Sequence, residues 1–236
     1  MTRRRFIADE VEGDRAALLG EHAAHLSKVL RAQIGQQFDI AANGSVRAGE
    51  ITSITNGRVE FLLREEVTAT TGQREVILFL SIFKFDRMEW AIEKATELGV
   101  ASIVPVTARR TESHLASAAT ERVERWRRIA RESSQQSRRI SEPVVSGPLK
   151  LKDAIATTQG FRIVLSEHES PSRLSLKHLL SDRPEESLTV AIGPEGGWTE
   201  EELEVFEKNG WQCASLGATI LRAETAAIAA LAIAIS

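Results

Sequence analysis

The 236-residue chain holds one cysteine, Cys213, set in an apolar stretch, which excludes an intramolecular disulfide and a cysteine metal cluster. A reducing cytoplasm is the expected compartment. Long apolar runs are also missing: the longest, residues 226–235, is too short to span a bilayer, so no membrane partner is expected. Arg3, Arg4 and Arg5 are followed by Asp9, Glu10, Glu12 and Asp14 with no apolar segment between, which argues against a signal peptide. His22, His25, His114, His168 and His178 show no ligand spacing, and no His-Glu-x-x-His occurs, so no metal is expected. Gly-x-Gly-x-x-Gly, Walker A and Gly-x-Ser-x-Gly motifs are absent, which removes the common dinucleotide, nucleoside-triphosphate and α/β-hydrolase readings. There is no internal repeat and no low-complexity tract.

What is present is unevenly charged. The net charge is −3, yet residues 103–141 carry nine arginines, no lysine and four glutamates, whereas residues 185–207 carry eight glutamates and no Lys or Arg. One face is therefore suited to a polyanion although the whole chain is slightly acidic. Arginine without lysine favours planar, bidentate recognition, for which RNA phosphate is the natural partner. The competing reading is a solvated helix face, with Glu124 and Arg128 paired four residues apart.

The first seventy residues read as mostly β. Strands are expected over 4–8 and 37–42, with a short helix over 21–31 burying Ala24, Leu26, Val29 and Leu30. Asn43-Gly44 and Asn56-Gly57 are strong hairpin turns, and short strands joined by tight turns suggest a small barrel. Residues 68–73 are small and polar and mark the domain boundary.

From there strands and helices alternate, which predicts an α/β fold with a mostly parallel sheet covered on both faces. A strand over 76–82 precedes a helix opened by an Asp86 to Glu89 capping box and stopped by Gly99. A strand over 101–106 precedes an arginine-rich helix over about 120–139, with Val123, Trp126, Ile129 and Ala130 as its thin apolar stripe. Further alternation follows at 144–145, 153–156, 161–165 and 174–180. A buried strand over 188–192 leads to a capping box of Thr199 and Glu202, a strand over 211–216, and a last helix from about Ala223 that lacks a polar face over its final turns. Such a helix needs cover from the core or from a second subunit.

Two loops after strands carry unusual composition. Gly193-Pro194-Glu195-Gly196-Gly197 has more glycine than a turn needs, and glycine lets backbone approach a ligand closely. A tight connection is the plainer reading. Phosphate is disfavoured there by Glu195, Glu200, Glu201 and Glu202. Leu216 to Thr225 places Gly217, two aliphatics, Arg222, Glu224 and Thr225 at a helix start, and it forms a candidate second wall of one pocket at strand C-termini.

The run from Ile192 to Glu202 (IGPEGGWTEEE), the run from Leu216 to Ala226 (LGATILRAETA), Glu93 to Gly99 (EKATELG), Arg125 to Glu132 (RWRRIARE) and His25 to Arg31 (HLSKVLR) together resemble the RsmE family of small-subunit ribosomal RNA uridine-N3 methyltransferases. The resemblance covers essentially the whole chain. It implies a C-terminal SPOUT methyltransferase domain over 73–236, tied in a trefoil knot and working as a homodimer, and a PUA-like β-barrel RNA-binding domain over 1–70. It implies S-adenosylmethionine held by Leu165, Ser166, Glu167, Gly193, Gly196, Gly197, Leu216, Gly217, Ile220, Leu221 and Thr225. Trp198 departs from the smaller aromatic expected at its position.

The activity so implied is methyl transfer to N3 of a uridine in 16S ribosomal RNA, free or assembled in the 30S particle. N3 becomes a good nucleophile only as its proton leaves. Arg222 is the candidate for stabilising the uracil anion, and Glu195 or Glu132 for taking the proton. Arg3, Arg4, Arg109, Arg110, Arg128, Arg131, Arg138 and Arg139 are the candidate RNA contacts. The alternatives are a PUA-type RNA-binding protein without chemistry, or a SPOUT enzyme acting on another RNA.

Overall fold

The computed structural model describes residues 4–69, 74–158, 160–167, 174–181 and 187–235. Arg3, His168 and residues 70–73 of the boundary segment lie outside them. Two compact units form: residues 1–72 with 134–142, and residues 73–133 with 143–236.

The first unit is built on a curled six-stranded sheet. Its strands are β1 (Arg5–Ile7), β2 (Glu10–Glu12), β3 (Arg15–Leu19), β4 (Gln37–Ala42), β5 (Ser45–Thr55) and β6 (Arg58–Ala69), in the order β1-β4-β5-β6-β3-β2. All pairings are antiparallel except β1 with β4. Ala8 N–H donates to the Ala41 carbonyl and Asp9 N–H to the Ala17 carbonyl, so one segment passes from one edge of the sheet to the other. That crossing, with register shifts along β5, curls the sheet around Phe6, Leu18, Leu26, Ile40, Ile51, Val59 and Phe61. Both predicted turns join their strands, with Asn43 and Gly44 left-handed at φ 48° and 78° and Gly57 at φ 84°. β2 and β3 escaped the sequence reading because their hairpin turns on Gly13 and Asp14 inside an acidic stretch.

The helix expected over 21–31 is instead a short α1 (Gly20–Ala24) followed by a π-helical turn, His25–Val29. The wider turn rotates the inward face, so Ala23 and Leu26 are buried while Val29 is 66% exposed.

The second unit is a parallel sheet with helices on both faces. Its elements are β7 (Val76–Ser81), α2 (Phe85–Leu98), β8 (Ser102–Thr107), α3 (Ser113–Gln136), β9 (Val144–Val145), β10 (Leu149–Lys150), α4 (Leu151–Ala156), β11 (Phe161–Leu165), β12 (Leu174–Ser175), α5 (Leu176–Leu180), β13 (Leu188–Ile192), α6 (Glu200–Lys208), β14 (Gln212–Ser215) and α7 (Ala223–Ile235). The strand order is β10-β8-β7-β13-β11-β14-β12, with β9 also on β8, and every pairing is parallel. Alternation along β7 shows why both faces are covered. Leu78 and Leu80 face a core shared with α2, α3, α5 and α7, and Phe79 faces a second core with α4, α6 and Trp211.

Two helix expectations need correction. α2 starts at Phe85 after Lys84 with no side-chain cap, so the Asp86 to Glu89 capping box does not form. Glu89 instead accepts a bidentate pair from Arg125 Nε and Nη2 at 2.6 and 2.8 Å, a stronger use of its charge. α3 begins at Ser113 and ends at Gln136. Leu115 and Ala119 extend the buried stripe upstream among small residues that carry little hydrophobic signal, and Arg138, left-handed at φ 59°, ends the run. Trp126, fully buried against Phe85, anchors α3. Burial of a tryptophan is worth about 3–5 kcal/mol against truncation, far above what half-exposed ion pairs supply.

Candidate active site

The C-terminal ends of the adjacent strands β13, β11 and β14 open onto one cavity of about 700 Å³. Its walls are the β13–α6 loop from Gly193 to Trp198, the β14–α7 loop from Leu216 to Arg222, and Leu165, Ser166 and Glu167 after β11. This is where an open α/β sheet holds its ligand, because loops at strand C-termini diverge there. Every cofactor residue nominated from sequence lines this cavity except Thr225, which is exposed on the first turn of α7.

The glycine loop is held from three directions. Trp198, 5% exposed, donates from Nε1 to the Leu165 carbonyl at 3.1 Å, fastening the loop to the end of β11. Gly193 lies under the same indole: a Cβ there would stand 3.2 Å from Trp198 Nε1. Arg110 donates from Nη1 to the Gly196 carbonyl at 2.6 Å and to the Trp198 carbonyl at 3.4 Å. Glu202 completes the predicted capping box, taking the Thr199 N–H on Oε2 at 2.9 Å, while its Oε1 accepts the Arg109 N–H at 2.7 Å. Glu202 is 4% exposed, and these donors offset the cost of burying its charge. The Glu201 carboxyl is held below the usual carboxylate range, first by a hydrogen bond with the Thr199 side chain and then by its own backbone, with Arg109 and Arg110 adding attraction.

Of the nominated reactive groups, Arg222 and Glu195 line the cavity and Glu132 does not; it sits exposed on α3. Arg222 is exposed, and its guanidinium has no partner among the described residues. Glu195 is engaged: Arg87 Nη1 donates to its Oε1 at 2.6 Å. Arg87 also lines the cavity, and its Nε lies 3.8 Å from Oε1 of Glu224. Arg87 is a cavity residue that no sequence motif marks. The available signal was its place in the first turn after β7, a strand beside β13, which brings it to the same end of the sheet.

The arginines divide by task. In the second unit, Arg110 buttresses the glycine loop, Arg125 holds Glu89, and Arg122 lies 4.9 Å over the Phe85 ring. Glu124 pairs with Arg127 at 2.6 Å, not with Arg128 as spacing suggested, because Arg127 also donates to the Val145 carbonyl and is thereby fixed beside it. Arg109, Arg128 and Arg131 are exposed. In the first unit Arg4 and Arg138 are exposed and Arg139 is half-buried, with burial lowering its pKa. Among the described residues no cluster of metal-ligating side chains occurs, and no helix is long and apolar enough to cross a membrane.

Residues 70–235 match the family model of the RNA methyltransferase domain. The ribosomal RNA small subunit methyltransferase E of Bacillus subtilis is 32% identical over 227 residues, covering 91% of this chain and 87% of that protein. The protein of the same name from Rickettsia conorii is 29% identical over 225 residues, covering 94% and 89%. A crystal structure of the Neisseria gonorrhoeae enzyme of that name, bound to S-adenosyl methionine, superposes with a TM-score of 0.81 at 28% identity, covering 98% of this chain and 96% of that one. A Legionella pneumophila methyltransferase with bound SAM gives 0.82 at 25% identity, covering 99% and 97%. With a strand-end cavity built from the glycine loop and the loop before α7, and with relatives aligned along nearly its whole length, the chain belongs to the ribosomal RNA small subunit methyltransferase E family of SPOUT methyltransferases.

Proposed function

We propose that the protein transfers a methyl group from S-adenosylmethionine to N3 of a uridine in 16S ribosomal RNA. The observation that carries this is the convergence of the glycine loop, the β14–α7 loop and the end of β11 on one cavity, in a chain whose relatives are named as small-subunit ribosomal RNA methyltransferases. The lining suits that donor. Backbone groups and Leu165, Ile192, Leu216, Ile220 and Leu221 offer edges and faces to an uncharged adenine, and Glu167 suits a positive centre. S-adenosylmethionine, when bound, supplies a methyl group on a positively charged sulfur.

The chain's own residues supply the rest. As N3 loses its proton, negative charge spreads over O2 and O4 of the uracil, and the Arg222 guanidinium at the rim stabilises it. Glu195 Oε2, the carboxylate oxygen not bound to Arg87, is the candidate proton acceptor in the lining. Because pairing hides N3, the uridine enters unpaired or flipped out.

In this reading residues 1–70 form the PUA-like RNA-binding domain and residues 73–236 the SPOUT domain, with the cavity loops making the knot. Arg4, Arg138 and Arg139 on the first, and Arg109, Arg128 and Arg131 on the second, contact RNA phosphates. The protein works as a homodimer in the cytoplasm. The motive for the dimer is α7, which leaves Ala232 exposed and Ile228, Ala229 and Ile233 half-buried on a helix without a polar face. Calorimetry with S-adenosylmethionine and transfer of labelled methyl to small-subunit RNA test the proposal together. RNA binding without donor binding would leave only a binding module, and label on another RNA alone would redirect the substrate.

A further inference from the structure

The two cavity residues joined by the shortest ion pair in its wall are Arg87 and Glu195. Arg87 reaches from the first turn of α2, and Glu195 stands in the middle of the glycine loop. The Glu195 carboxylate, between Pro194 and Gly196, has little beside it in the loop to fix its rotamer: Gly196 and Gly197 offer no side chain, and Gly197 is left-handed at φ 69°. The guanidinium is the group that holds it. Arg87 takes Oε1 at 2.6 Å and leaves Oε2 as the other oxygen of a carboxylate that lines the cavity.

Arg87 is held in turn. Its Nε lies 3.8 Å from Oε1 of Glu224, whose side chain is 9% exposed and whose Oε2 is buried without a partner. A buried carboxylate with one open oxygen is retained only at a cost, and the counter-charge beside it is Arg87. The guanidinium therefore links α2, the glycine loop and the first turn of α7.

We propose that Arg87 is a positioning residue of the methyl-transfer site: it orients Glu195 by holding Oε1, and Glu224 holds Arg87 in place to do so. This rests on the reading of Glu195 as proton acceptor given above. It has the arrangement of an acceptor oriented by a third group, with the charges reversed from the usual base and carboxylate.

The test compares Arg87→Met, Arg87→Lys, Glu195→Gln and the Arg87→Met/Glu195→Gln pair, measuring turnover at saturating donor and RNA and donor affinity by calorimetry. Arg87→Met is expected to lower kcat by about tenfold to a hundredfold, the scale of a misplaced reacting group, with donor Kd changed by less than about threefold. Arg87→Lys, which keeps one donor and the charge, falls between Arg87→Met and the wild type. The paired variant is no slower than Glu195→Gln alone, because the arginine acts through the glutamate. Wild-type kcat in Arg87→Met, losses that multiply in the paired variant, or a loss confined to donor Kd would each overturn the proposal. Should Arg87→Met fail to fold, the same cycle with Arg87→Lys decides by the same additivity. Wild-type turnover in these assays carries the function reading separately: its absence ends that reading, whereas a normal wild type with an inert Arg87 substitution ends this one alone.

Discussion

Replacing Trp198 by phenylalanine probes the fastening of the cavity wall. The indole Nε1 donates to the Leu165 carbonyl at 3.1 Å and the ring is 5% exposed, so the substitution removes a buried donor and leaves its acceptor unpaired. That costs about 1–3 kcal/mol. Losing the five-membered ring also opens a void between Gly193 and Phe206, whose ring centroid is 4.9 Å from that of Trp198. The void adds about 1 kcal/mol, for about 2–4 kcal/mol in all. With a urea dependence of about 2 kcal/mol per molar, the unfolding midpoint falls by about 1–2 M. Because Leu165 and Gly193 line the cavity, donor affinity should fall by about three- to thirtyfold, read by calorimetry. Gly193→Ala supplies an internal check. Its Cβ would press on the indole, so it should be better tolerated in the Trp198→Phe background than alone. A midpoint shift below about 0.3 M with unchanged donor affinity would refute the fastening role.

Glu202→Ala removes acceptors for both the Thr199 and Arg109 N–H groups and should cost about 2–4 kcal/mol in thermal unfolding, against about 1 kcal/mol for Thr199→Ala, which loses only the cap. Arg128→Ala, exposed on α3, should weaken RNA binding and reduce the salt dependence by about one counterion while leaving donor affinity unchanged in calorimetry. The wild type should sediment as a dimer, and Ala232→Glu, which puts a charge on the exposed side of α7, should sediment as a monomer.

The strands were legible where an apolar run is bounded by turn residues. β4, β11 and β13 fall on the predicted residues because each ends at a glycine, a polar residue or a hairpin turn that admits no shift. Helix starts were less legible. The Thr199 box formed because Glu202 lies under the Arg109 backbone and gives one oxygen to each N–H, whereas the Asp86 box failed because Arg125, thirty-six residues along the chain from Glu89, offered that carboxylate a better partner. The cavity loops could be found by their glycines, which local pattern reports. The groups that brace them could not: Arg87, Arg110 and Trp198 act across separations set by strand order, and the order β7-β13-β11-β14 is written in no local pattern. For the same reason the arginine count pointed to nucleic acid as a class, while geometry was needed to show that Arg110, Arg125 and Arg127 brace the fold.

The most direct measurement of the central claim is nucleoside analysis of small-subunit RNA after incubation with the protein and methyl-labelled S-adenosylmethionine, on free 16S RNA and on assembled 30S particles in parallel. Labelled 3-methyluridine in at least one of the two is the predicted result. Absence of 3-methyluridine from both, with the donor bound and intact, would contradict the account.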